Sequence, residues 1–214
     1  LMVSSTILNN INKLAASAEL NKYGARFKYS KFLKVIDQSH ESVTSNVTTV
    51  EMRRDLRLAI DQFAEYAIDF GNQFHISSMD GFNIRSSAFT VLDISRQVYL
   101  YDLPNTDKKT GTLGLFSLDA PGSTTPMIER SNVGIINYVT GRITLNPINI
   151  ISGKEKDAQQ IMEISVVPES NDVIGLQDLY LQLDTSNVEM VVDEIASGAD
   201  PSGSTYTVTS SYTD

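Results

Sequence analysis

Asn132-Val-Gly-Ile-Ile-Asn-Tyr-Val-Thr-Gly-Arg-Ile-Thr-Leu-Asn-Pro-Ile-Asn-Ile150 is the stretch whose reading decides the fold. Its apolar residues alternate on either side of one glycine, so it reads as a β-hairpin. Ile136 and Tyr138 on the first arm, and Ile143 and Leu145 on the second, keep the period of two that turns one face of a strand inward. Gly141 falls where a hairpin loop of roughly three to five residues needs a left-handed backbone, which glycine adopts without steric penalty. Pro147 has no N–H to donate and marks where regular pairing on that side stops.

Downstream of the hairpin, residues 153–159 read as a charged turn. Met162, Ile164 and Val166 then line one face of a strand that ends at Pro168. Leu179, Leu181 and Leu183 line the next, and Glu169-Ser-Asn-Asp makes the polar turn between them. Residues 188–195 fit helix or strand, and their three Val, one Met and one Ile favour strand. Residues 197–214 are rich in Ser, Thr and Gly, with Tyr206 and Tyr212. With so little apolar surface they read as a tail or as an arm held by a neighbour.

Upstream, residues 111–118 form a short apolar strand, and the Pro- and Gly-containing residues 120–126 a loop. Residues 96–103 put Val98, Leu100 and Asp102 opposite Tyr99, Tyr101 and Leu103, and residues 83–93 are a further strand. A solvent-facing connection fills 104–111. Residues 59–70 suit either period, through Ile60, Phe63, Ala67 and Phe70 or through Ala64, Tyr66, Ile68 and Phe70. Their aromatic content places them as strand.

At the start, Ile7, Leu8, Ile11, Leu14, Ala15 and Ala18 recur at helical spacing behind Ser4 or Ser5 as cap. Residues 25–29 suggest a short strand, and Ser30 caps a second helix over 31–39 with Phe32, Leu33, Val35 and Ile36 inward. A long strand follows from the polar turn at 41–45 to Leu58. The expected class is therefore α+β, a helix-strand-helix-strand layer followed by a β-rich region with the hairpin at 132–150. The expected domains are 1–58, 59–185 and 186–214. So many strand edges call for partners or cover.

Composition narrows the function classes. The 214 residues suffice for one large or two small cores, and the absence of cysteine removes disulfides and thiolate metal sites. A reducing cytoplasm is the natural place of synthesis. Seventeen basic against twenty-six acidic residues, net −9, argue against a nucleic-acid surface. The first residues lack the basic and apolar regions of a signal peptide, and no apolar run reaches bilayer length. Leu1 ahead of Met2 reads as the interior of a longer chain.

Chemistry-bearing patterns are sparse. His40 and His75 share no metal spacing, and no Gly-x-Ser-x-Gly elbow marks a hydrolase. The acidic pairs Asp102/Asp107 and Asp193/Glu194 read as solvated turn or edge charges rather than as the acid and base of a glycosidase. Gly111-Thr-Leu-Gly114 lacks the third glycine of a nucleotide loop and reads as a strand with a bulge or turn. Asn171-Asp172 and Asp200 with Ser202 lack the closing Glu of a calcium loop. Asn46-Val-Thr48 is an accidental glycosylation match. Arg53 and Arg54 should point to opposite faces, one of them serving a salt bridge or an interface. No catalytic residue, cofactor or metal is expected.

Four phrases carry a family likeness. They are Asn137-Tyr-Val-Thr-Gly-Arg-Ile-Thr-Leu, Ser45-Asn-Val-Thr-Thr-Val-Glu-Met-Arg-Arg-Asp-Leu, Phe70-Gly-Asn-Gln-Phe, and Val167-Pro-Glu-Ser-Asn-Asp-Val-Ile-Gly-Leu. Together they resemble the C-terminal part of the baseplate wedge protein of T-even-like contractile-tailed phages, the subunit of the inner wedge ring. The resemblance implies a non-enzymatic virion protein in the tail baseplate, assembled in the host cytoplasm. It implies a homodimer that links wedges into a ring, contacts with other wedge proteins, and no nucleic-acid, membrane or small-molecule partner. Function would then lie in which surfaces pair and how they repack on contraction. The N-terminal helix, the sheet edges and the tail are the candidate contact surfaces. A glycan-binding adhesin is the alternative, and a glycan hydrolase a weaker third.

Overall fold

A computed structural model describes residues 2–17, 20, 26–120, 122–175, 181, 182, 188, 189 and 191. Leu1–Gln182 form one compact unit and Leu183–Asp214 a second, of which residues 188, 189 and 191 are described. The expected strand faces at 179–183 and 188–195 and the tail at 197–214 fall largely or wholly outside the described residues. Leu181 and Gln182 carry no regular secondary structure.

The first unit is α+β, with two helices ahead of a large strand-rich region. Helix α1 (Met2–Ala15) buries Ile7 and Ile11 and packs on α2 (Tyr29–Asp37), which buries Phe32 and Ile36. The Asn10 amide donates across this contact to Ser39 Oγ at 3.1 Å. Between the helices lies β1 (Arg26–Phe27), so the order helix, strand, helix, strand stands once β2 (Met52–Arg57) is added.

Two caps differ from the reading of the sequence. Ser4 and Ser5 lie inside α1, and Ser30 lies inside α2, whose N-cap is Lys28 with no side-chain bond. The missing cap comes from far along the chain, because Asp172 Oδ1 accepts the Tyr29 N–H at 2.8 Å. A carboxylate there satisfies an orphan donor and faces the positive end of the helix dipole. Strand β12 (Val173–Ile174) starts at the next residue and pairs with β1, with Phe27 opposite Val173. Asp172→Ala should therefore cost about 0.5–2 kcal/mol in urea unfolding, as loss of an N-cap does. No loss would mean that solvent serves the Tyr29 N–H equally well.

The strand expected from residue 45 begins only at Met52. Strand β11 (Gln159–Val166) gives β2 its ladder, and the last partner pair is Met52 with Val166. Ahead of that point the chain follows α2 through side-chain bonds, Asn46 to Asp37 Oδ1 at 2.5 Å and the Tyr29 hydroxyl to the Thr48 carbonyl at 2.8 Å. β11 also pairs with β4 (Ile84–Ser86) and with β10 (Lys154–Lys156), giving a four-stranded sheet. Met162, Ile164 and Val166 are its buried row, as their alternation predicts. The charged stretch at 153–159 holds β10 and a tight turn in which Asp157 and Ala158 both take positive φ, 50° and 57°. That is the backbone of the hairpin turn whose twist matches its strands.

The larger sheet runs β3 (Phe63–Asp69), β9 (Arg142–Ser152), β5 (Phe89–Val91), β6 (Ile94–Pro104), β7 (Thr110–Leu118), β8 (Pro126–Asn137). Since β9 also pairs with β8, the sheet closes on itself like a barrel. The predicted hairpin is β8–β9, with Ile136 opposite Ile143 and Gly134 opposite Leu145. Its β8 pairing stops at Leu145, two residues before Pro147, and β9 then runs on to β5. Residues 63–69 are strand, because Tyr66 and Ile68 are buried against β9 in a two-residue period. The single strand expected over 83–93 is two, broken at Ser87 and Ala88. Its first half serves the four-stranded sheet and its second half the barrel. Val98, Leu100, Leu113, Leu115, Ile136, Ile143, Leu145 and Ile150 fill the barrel interior.

Candidate functional site

The most unusual side chain inside the barrel is an aspartate. Asp102 lies on the same face of β6 as Val98 and Leu100, and none of its surface is exposed. Its solvated reading is therefore wrong. The alternation that sends Leu100 inward sends Asp102 inward too, and burial is tolerated because the site supplies donors. Oδ1 accepts the backbone N–H of Asn83 at 2.7 Å and of Ile84 at 3.0 Å. Oδ2 accepts the Asn83 amide at 2.8 Å and the Tyr138 hydroxyl at 2.6 Å. Burial, and then the bond to Asp102, push the Tyr138 phenol far above its ordinary value.

The node fixes the loop ahead of β4. Phe82 donates its N–H to the Asp102 carbonyl at 3.1 Å, and Asn83 ties back to Ser78 through both ends of its amide, at 2.8 and 2.9 Å. Gly81 takes φ +92°, and a Cβ there would run into the Asp102 carbonyl oxygen. Phe82 itself sits at φ +61°. A bulky residue in the left-handed region costs on the order of 1–3 kcal/mol and persists only when its surroundings impose it. Here the result is display of the ring. Phe82 stacks on Tyr101 with centroids 5.2 Å apart and meets Phe116 edge-on at 5.3 Å, while 42% of it stays exposed.

This cluster belongs to the outer face of the barrel. Cross-strand neighbours run Leu103, Thr112, Ile135 in one row and Tyr99, Phe116, Ile128 in another. Leu103, Ile128 and Ile135 are exposed, Ile135 by 62%. A group of exposed large apolar side chains on one face marks an interaction surface more often than a lone exposed leucine does. The apolar residues of α1, by contrast, include Ile7 and Ile11, which are buried in a helix that packs on α2.

The remaining candidates stand apart from this cluster. Asp107 is at the β6–β7 loop tip, where the N–H groups of Lys109 and Thr110 hold its carboxyl below the ordinary range, so the Asp102/Asp107 pair faces no common site. Asp193/Glu194 and Asp200 with Ser202 lie outside the described residues. His40 bonds Ser42 within its own turn, and His75 bonds Glu169 at 2.8 Å on the surface. Asp172 is occupied by α2, and Gly114 sits at a register shift between β7 and β8. Arg53 reaches the Gln182 side chain at 2.7 Å and Arg54 the Asp69 carbonyl at 2.7 Å, so the described partner of each is neutral rather than acidic. Among the described residues no group of His, Asp and Glu is placed to hold a metal ion, and no helix is long and apolar enough to cross a membrane.

Residues 2–55 match the family model described as "Baseplate structural protein gp6, C-terminal domain III". The match supports a structural protein of a phage baseplate. It spans α1, β1, α2 and the start of β2, the helical pair and the strand that ties it into the four-stranded sheet. No curated protein matches the chain. A baseplate protein acts among other baseplate proteins in the virion tail.

Proposed function

We propose that this chain is a wedge subunit of a contractile phage tail baseplate, which pairs with a second copy and joins neighbouring wedges into a ring. It is assembled in the host cytoplasm. It works through surface contacts rather than through a reaction. The similarity of residues 2–55 to a baseplate domain carries the reading. The exposed apolar residues on the outer face of β6, β7 and β8 support it, since exposed apolar patches mark interaction surfaces.

Light scattering after size exclusion tests this. From about 1 to 100 μM the mass should rise from one chain toward two, the concentration dependence of a self-association in the micromolar range. Ile135→Glu with Ile128→Glu should hold the chain as a monomer without lowering its Tm by more than a few degrees. A monomer at every concentration removes the dimer. Full dimerisation of the double variant moves the interface elsewhere.

A further inference from the structure

A groove of about 180 Å³ opens beside Phe82, between its loop and the end of β11, with Glu51, Ser77, Arg85 and Ser165 on its walls. We propose that it binds a neutral hexopyranose unit of a glycan, with Phe82 among the residues that line it. This goes beyond the baseplate reading and does not depend on it.

Three observations point to that ligand. The first is the display of Phe82. Its left-handed backbone, the Asp102 node behind it and the Tyr101 ring stacked on it hold in place an aromatic side chain that stays 42% exposed. A flat ring surface suits the C–H face of a sugar.

The second is the balance of charge. Arg85 Nη1 and Glu51 Oε1 are 3.5 Å apart, and the Arg85 side chain is 79% exposed. A ligand of either charge would meet a like charge at the wall. A polyol donates to Glu51 and accepts from Arg85 at once, and hydroxyls on Ser77 and Ser165 serve either role. The third is size. The groove is smaller than the roughly 300 Å³ of sites that enclose drug-sized ligands, so it takes one ring of a longer chain rather than a whole ligand.

The test uses the ¹⁵N-labelled chain with methyl α-glucopyranoside, methyl α-mannopyranoside, methyl β-galactopyranoside and methyl β-glucuronide as separate probes. At least one neutral glycoside should show saturation transfer to the protons of one ring face. Its saturable amide shifts should centre on Ser77, Arg85 and Ser165, with Kd on the order of 1–10 mM as a single small ring allows. Arg85→Met should weaken binding about threefold to tenfold, the worth of one hydrogen bond, and Ser165→Ala by less. Phe82→Leu should abolish the transfer while the remaining amide spectrum is kept. No saturation with any neutral glycoside, equal binding of the glucuronide, or indifference to Arg85→Met overturns the proposal.

Discussion

Asp102→Ala should lower stability in urea unfolding by about 3–5 kcal/mol, because several buried donors lose one shared acceptor and each unsatisfied donor costs about 1–3 kcal/mol. For a domain of this length that is a fall in Tm of roughly 6–20 °C. The cost arises from the donors left behind more than from the carboxylate itself. Truncation strands the N–H groups of Asn83 and Ile84, the Asn83 amide and the Tyr138 hydroxyl around a carboxylate site with no exposed surface. Asp102→Asn should cost less, because one amide oxygen can still accept from the backbone, although its NH₂ then opposes the Asn83 amide. Asp107→Ala is the control. That carboxylate serves an exposed loop, so an equal loss there would show that the node inside the barrel has no special weight.

The same node gives a pH dependence with a definite sign. Burial and the Asp102 bond raise the Tyr138 phenol above its ordinary 10.0. The contribution of the neutral phenol is complete below that value. As pH rises past it, the unfolded chain releases the proton while the folded chain keeps it, and stability falls. Tyr138→Phe should lose stability at neutral pH and show a flatter decline between about pH 9 and 11. An unchanged slope would assign the alkaline loss to other tyrosines.

Period-two alternation made most of the barrel legible before any coordinates. It placed Ile136, Tyr138, Ile143 and Leu145 on one face of the barrel, and Met162, Ile164 and Val166 on one face of the four-stranded sheet, because side chains alternate whatever the strand pairs with. Partner-dependent features were hidden. The start of β2 at Met52 is set by where β11 ends, and the cap of α2 comes from Asp172 across 143 residues of sequence. No local window contains either fact. Asp102 is the instructive miss, for its position in the Val98, Leu100, Asp102 row already gave its direction. Treating an Asp as solvated overrode the geometry, and the donors that make its burial tolerable come from a loop and a strand 18 to 36 residues away. Phe82 could not be read at all, since a left-handed phenylalanine has no sequence signature beyond the preceding Gly81.

Gly141→Ala should cost about 2–5 kcal/mol, from two causes that a second glycine separates. The first is the backbone: φ is +69°, where an L side chain pays roughly 1–2 kcal/mol. The second is space, because a Cβ there would run into the Asn72 carbonyl, and forced repacking of that kind costs about 1–3 kcal/mol. Gly122 has φ +83° with nothing within 4 Å of the added carbon, so Gly122→Ala carries the first cause alone. The difference between the two variants measures the clash. That clash reaches beyond the hairpin. Gly141 accepts the Phe70 N–H at 2.8 Å, and Asn72 bonds both the N–H and the carbonyl of Ile174, at 3.1 and 2.9 Å, in the strand that holds β1. Displacing Asn72 should therefore speed hydrogen exchange at Ile174 and Phe27 in Gly141→Ala but not in Gly122→Ala. Equal stability losses with equal exchange would mean that the hairpin turn and the ribbon beneath the helices are not mechanically joined.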